Sequence, residues 1–218
     1  MLYIVYMRNS SFIFIAAVCL AACNQSPKSA TTVDSITITD TPKQDKDTAM
    51  PNKPVTADKL IVPGKAIGKT TLNEDAAEVF KRLGKPDAGD AAMGKALSIW
   101  YAGHDTTGYQ TMIYTARQMG TQDDVARVKQ VRITSPWFAT AEGIHSGSTL
   151  HQISKVYDVK KSATFTLNKQ AYSIYRSAKG IAFEVDAEGV CKGIIVFDSA
   201  SEPGQTYLPF YSDMKMVK

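Results

Sequence analysis

Long apolar runs are scarce in this chain of 218 residues, and cysteine and histidine are scarce too, with three of each. The most apolar stretch, Phe12 to Leu20, is nine residues, whereas a helix needs about 20 to cross a bilayer. No later stretch is apolar enough to span either. Cys191 stands alone far downstream of Cys19 and Cys23, so no cysteine pair staples the region between. Beside Val190 and Ile194, with no histidine near it in sequence, Cys191 reads as a small buried hydrophobe and not as a nucleophile. His145 and His151 are six apart, which puts them on different faces of a helix, and no Cys or Glu cluster joins them; no metal site is expected. His104, beside Asp105, reads as a surface turn residue. The formal net charge of +4 is too small to suggest nucleic acid.

Other catalytic patterns are incomplete. Gly64-Lys65-Ala66-Ile67-Gly68-Lys69-Thr70 has three residues between its first Gly and the Gly-Lys pair, one short of a phosphate-binding loop, so no nucleotide is expected. Ser98 and Ser146-Gly147-Ser148 lack the Gly-x-Ser-x-Gly elbow that exposes a nucleophile. Asp123-Asp124 reads as a solvated loop and Glu184/Asp186 as a strand-to-turn edge, without an apolar pocket to push paired carboxyls apart in pKa. No catalytic residue, metal ligand or cofactor is assigned.

What is present begins at the N-terminus. Arg8 supplies a basic start, with Met7 before it as the expected initiator, and the apolar run has the length of a signal-peptide core. Leu20-Ala21-Ala22-Cys23 directly follows it. This stretch resembles a lipobox, the cleavage and acylation signal of bacterial lipoproteins, and the resemblance implies lipid on Cys23. Two or three acyl chains, at about 0.8 kcal/mol per buried CH₂, would hold the protein on a membrane. Arg8 is the only charged residue before Cys23, so the processed chain carries 24 basic and 21 acidic residues, a net +3. From Asn24 to Asp58 the sequence is Ser, Thr, Asp, Lys, Gln and Pro with few large apolar residues. Such a composition cannot offset its own ordering entropy, and a linker with a reach of roughly 30 Å follows. Ile36-Thr37-Ile38-Thr39 is its single β-like patch.

Beyond the linker the sequence repeats. Leu72 to Leu83 aligns with Ser146 to Tyr157, Leu97-Ser98-Ile99-Trp100-Tyr101 with Tyr172-Ser173-Ile174-Tyr175-Arg176, and Val128 to Ile133 with Cys191 to Val196. Three matches in one order point to a duplication. In the first copy Asn73 is the expected helix cap, Ala76, Val79, Phe80 and Leu83 form one apolar face, and Gly84 with Pro86 stops the helix. In the second, Thr149 caps and Ile153, Val156 and Tyr157 are buried. Strands are predicted over 96–102, 109–116 and 126–134, then 171–176, 180–185 and 190–198. The fold class is α+β, with two tandem units of one helix and an antiparallel three-strand meander.

The pattern Ile67-Gly68-Lys69-Thr70-Thr71-Leu72, an acidic helix ending Val79-Phe80-Lys81-Arg82-Leu83-Gly84-Lys85-Pro86, and the aromatic strands after it resemble the β-lactamase-inhibitor-protein-like superfamily. That group includes the SmpA/OmlA outer-membrane lipoproteins. The helix-start Gly of that pattern is Asn73 in the first copy and Gly147 in the second, and Leu-Gly-x-Pro survives only in the first. The resemblance implies tandem units that bind other proteins across a sheet face, without catalysis.

The expected organisation is a signal peptide at 1–22, lipidated Cys23 and linker at 23–58, a first repeat at 59–136 and a second at 137–218. Trp100, Tyr101, Tyr109 and Tyr175 are the candidate partner-binding residues, as aromatics that anchor interfaces when they face outward from strands. The aromatic tail Thr206 to Tyr211 is expected to dock on the second copy. The chain thus reads as a lipid-anchored envelope protein, at the outer membrane facing the periplasm, acting as a non-catalytic binding or assembly factor with a protein partner. The alternatives are an envelope hydrolase and a small-ligand-binding lipoprotein.

Overall fold

Period-two alternation of apolar residues dominates the chain after the linker, and strands follow from it. The computed structural model describes residues 55–120, 124–200, 211 and 213–217, all of them in the compact unit Thr48–Lys218. Cys23, the signal and the linker up to residue 54 lie outside the described residues.

In chain order the elements are β1 (Leu60–Val62), β2 (Ala66–Ile67), β3 (Thr70–Thr71), α1 (Ala76–Leu83), β4 (Ala88–Ala92), β5 (Lys95–Tyr101), β6 (Gln110–Ala116) and β7 (Arg127–Ile133). They continue with β8 (Ala139–Thr140), α2 (Leu150–Val156), β9 (Lys160–Leu167), β10 (Gln170–Ser177), β11 (Ile181–Val185), β12 (Cys191–Phe197) and β13 (Lys215–Met216). The described residues are mostly sheet with two α-helices, a mixed α+β fold. The six strands expected from the sequence are present within two residues at each end. β4 and β9 were not expected: β4 is Ala88-Gly89-Asp90-Ala91-Ala92, without a large apolar residue, and β9 opens on two lysines.

The nine longer-range strands form one antiparallel sheet in the order β13-β9-β10-β11-β12-β7-β6-β5-β4. β7 and β12 meet at its middle, Arg132 opposite Ile195 and Val131 opposite Val196. The two halves of the chain therefore share a continuous sheet. A second, four-stranded sheet has the order β3-β2-β1-β8, in which β1 runs parallel to β8 with Leu60 beside Ala139.

Three backbone bonds recur at the two helix starts. Asn73 N–H donates to Val128 O at 2.8 Å, Val128 N–H to Glu74 O at 2.9 Å, and Ala76 N–H to Ala126 O at 2.8 Å. In the second half Gly147 N–H donates to Cys191 O at 2.8 Å, Cys191 N–H to Ser148 O at 2.9 Å, and Leu150 N–H to Gly189 O at 2.8 Å. The register irregularities match as well, between Tyr114 and Thr115 against β7 and between Glu184 and Val185 against β12. The residues stepped over are Lys129 and Lys192, which the sequence alignment pairs. One alignment needs correction. Leu97 lies opposite Tyr114 and Ile174 opposite Glu184, so Leu97 corresponds to Ile174 and not to Tyr172. A slip of two residues keeps every side chain on its face, so alternation alone could not reveal it.

α1 is capped by Asp75, whose carboxylate accepts from Ala77 N–H at 2.8 Å, and it ends at Gly84 with φ 78°. Asn73 is not the cap: it sits two residues upstream at φ 64°, a left-handed conformation that Asn tolerates, and its side chain accepts from Lys129. Ala76 and Val79 are buried, but Phe80 and Leu83 at the same face's outer edge are 37% and 38% exposed. α2 starts with a capping box between Thr149 and Gln152. Removing that hydroxyl by Thr149→Ala should cost about 1 kcal/mol, read as a lower urea midpoint with an unchanged slope.

The helices and the small sheet cover one face of the large sheet. Ile61, Val79, Trp100, Ile113, Val131, Ile153, Phe183 and Ile194 belong to that core. On the other face Phe165, Ile174, Ala182, Ile195 and Phe197 pack with Tyr172, Tyr211 and Met214. Burial of each such side chain contributes about 1.5–3 kcal/mol.

Candidate functional site

The four aromatics singled out from the sequence do not share a patch. Trp100 points into the helix-side core, where it is 8% exposed, donates through Nε1 to Gly84 O at 3.2 Å and meets the Phe80 ring at 5.7 Å. Tyr101, next along β5, faces the opposite side and is half-buried. Tyr175 packs partly buried against the helix-side core from β10, five strand spacings or about 24 Å from β5. Tyr109 alone is exposed, and its partner is a residue the sequence reading left out of the set. Trp137, 61% exposed, meets the Tyr109 ring edge-on at 5.6 Å. A Trp flanked by Pro136 just past a strand end was the available signal.

A second cluster lies on the face away from the helices, where β7, β11 and β12 meet. Arg132 and Glu184 form a two-pronged ion pair, Nε to Oε1 and Nη2 to Oε2, both at 2.7 Å. Both residues are almost wholly buried. Burial alone would lower the basicity of the guanidinium; the adjoining carboxylate and Tyr211 outweigh it and hold Arg132 above the ordinary arginine range. Nη1 of Arg132 also donates to Gln110 Oε1 at 3.1 Å. Tyr211 lies parallel to Phe165 at 3.7 Å, and its hydroxyl donates to both Glu184 oxygens at 3.4 Å. The docking expected of the aromatic tail is seen for Tyr211; residues 206–210 lie outside the described residues. Gly193 is required here, because a Cβ on it would stand 2.4 Å from Glu184 Oε2. Glu184 is thus no solvated turn edge: it belongs to β11, and only Asp186 occupies the turn, accepting from Val190 N–H and pairing with Lys192 at 3.0 Å. Two residues along β7 from Arg132, Gln130 is fully buried, and among the described residues neither atom of its amide has a partner.

His104 has a different neighbour from the one its sequence position suggests. Its Nδ1 lies 2.6 Å from Asp87 Oδ1, while Asp87 Oδ2 accepts from Tyr101 N–H at 2.8 Å. That amide, and then the imidazole, lower the Asp87 carboxyl pKa. A His–Asp dyad orients an imidazole, yet this one is a surface feature: the His104 side chain is 78% exposed. Among the described residues no hydroxyl or thiol partners His104.

The remaining chemistry is sparse. Cys191 is buried, donates to Gly193 O at 3.3 Å, and has its thiol pKa pushed up by burial. A disulfide reagent should find no Cys191 thiol in the native protein and one after denaturation. A shallow cavity of about 270 Å³ at the β4–β5 turn is lined by Met93, Lys95, Thr115, Arg117 and Met119, among others, with no acid or imidazole among the described lining residues. Among the described residues no cluster of His, Cys, Asp and Glu could hold a metal ion, and no helix is long and apolar enough to cross a membrane.

Fold and site together define a mixed α+β protein organised on one antiparallel sheet, with a self-neutralised polar cluster at its middle. No family model and no curated protein matches the chain. Among solved structures it is similar to an extracellular protein containing an SCP domain from Bacillus anthracis str. Ames, with 10% identity and a TM-score of 0.37. That likeness covers 58% of this chain and 44% of the other, and at such a score it bears on neither fold nor function.

Proposed function

We propose that this chain is a lipid-anchored cell-envelope protein that binds other proteins without catalysis, as a partner or assembly factor. It is built as two tandem units of one helix and an antiparallel meander, of the β-lactamase-inhibitor-protein-like kind. The observation that carries the reading is the dispersal of reactive side chains. The buried acid, Glu184, is spent on Arg132; the buried thiol is capped; the imidazole paired to an acid stands in solvent. The matched bonds around the two helix starts support the tandem units, and Leu20-Ala21-Ala22-Cys23 supports the anchor; the outer-membrane address rests on the resemblance to the SmpA/OmlA lipoproteins. One rim of the sheet supports the binding role: β4 is the last strand of the order and every residue of it is exposed. Metabolic labelling with a fatty-acid analogue should mark Cys23, and pull-down from solubilised envelopes should recover a protein at fixed stoichiometry. Absence of label removes the anchor, and recovery of only a small molecule favours a ligand-binding lipoprotein.

The His104–Asp87 dyad favours a second reading, an envelope hydrolase. Under the leading reading the purified protein leaves ester and amide probes intact. Turnover that disappears in His104→Ala would move the assignment to the hydrolase.

A further inference from the structure

The exposed aromatic pair and the start of the fold lie at the same end of the molecule. β1 runs parallel to β8, with Leu60 beside Ala139, so the residues before Leu60 leave the fold next to Phe138 and Trp137. The glycine at 68 shows how close: a Cβ there would meet Asp58 O at 2.5 Å and the Phe138 ring at 2.9 Å. Phe138 turns inward against the core, and Trp137, its neighbour, turns outward to stand against Tyr109. The 35 residues between Cys23 and Lys59 therefore join the fold beside the most exposed tryptophan.

We propose that Trp137 and Tyr109 are a membrane-contact site, inserted in the interfacial layer of the bilayer to which the tether leads. This rests on the lipid anchor proposed above and goes beyond it, since a tether of roughly 30 Å would also allow the folded region to stand clear of the surface. Trp and Tyr have the chemistry for the role, an apolar ring with a polar edge that stays hydrated at headgroup depth. Attraction of opposite charge is not what drives the contact. Exposed Lys59 and Lys69 are partly offset by Asp58, whose carboxyl is lowered first by the Thr56 hydroxyl and then by both lysines, which leaves one net positive charge there. An association led by two rings should accordingly resist added salt.

The test uses the lipidated full-length protein in vesicles of phosphatidylethanolamine and phosphatidylglycerol, with and without bromine on the acyl chains. The chain has two tryptophans, so Trp100→Phe leaves Trp137 as the sole emitter. Should that core substitution impair folding, the native chain is compared with Trp137→Phe and the difference taken as the Trp137 signal. Insertion to about 5–10 Å predicts a blue-shifted emission that loses about half its intensity to brominated chains and is unchanged by salt. Emission at the value for water, or a blue shift without bromine quenching, overturns the proposal, the latter pointing to a protein contact. Labelled Cys23 with an unquenched Trp137 defeats this inference and leaves the anchor standing; an unlabelled Cys23 defeats both.

Discussion

Arg132→Met should lower stability by about 3–5 kcal/mol, a fall in melting temperature of about 6–20 °C for a protein of this size. The cause is the carboxylate left behind. Glu184 is 1% exposed, and without the guanidinium it keeps, among the described residues, only the Tyr211 hydroxyl, at 3.4 Å. Losing a pair is a different matter from losing one partner. In Arg132→Met with Glu184→Leu no charge is buried, apolar neighbours such as Ile195 and Phe165 are already in place, and most of the lost stability should return. Circular dichroism melts of the two single variants and the double variant measure the coupling. If the double variant is as unstable as the sum of the singles, the pair is not held in the isolation that its burial implies.

That ion pair stands where the two halves meet. Arg132 is directly opposite Ile195, and the alignment of the halves makes these two residues counterparts. The same position thus carries a cation in one half and an alkyl chain in the other. Glu184 and Gly193 are the counterparts of Tyr114 and Gln130. Where one half packs a ring against an amide, the other sets a carboxylate into the space a missing Cβ leaves open. The sheet is built from matched backbones, and its middle is made unlike by side chains.

Much of this was legible beforehand, for reasons particular residues make clear. Thr149 with Gln152 is a local signal and is used as such. The strand pattern survives because Val131 and Ile133 alternate with Gln130 and Arg132, while Ile194-Ile195-Val196-Phe197 is a short β-branched and aromatic run buried on both faces. β4 was illegible because an edge strand of alanines, glycine and one aspartate takes its conformation from β5, a partner outside its own sequence. Glu184 reads as solvated because Glu is rarely buried unpaired, and its partner is 52 positions away. Asp87 and His104 come together only when β5 brings the turn after it back beside the start of β4. The exposure of Trp137 is a property of the packed chain and not of the residue.

Gln130→Met should raise stability by about 1–3 kcal/mol, a gain of about 2–12 °C in melting temperature. Gln130 lies on β7 between Tyr114 and Phe197, without solvent exposure, and both Oε1 and Nε2 lack a partner among the described residues. An amide taken from water and given nothing in return costs stability on folding, whereas a thioether of nearly the same length fills the same space without that cost. Few single substitutions in a core stabilise, so the sign is the test. A loss of stability would mean that the amide is engaged in solution, by a buried water or by a small polar ligand drawn in beside Arg132. Amide-hydrogen exchange along β7 would then report the same engagement, as protection in the native chain that Gln130→Met removes.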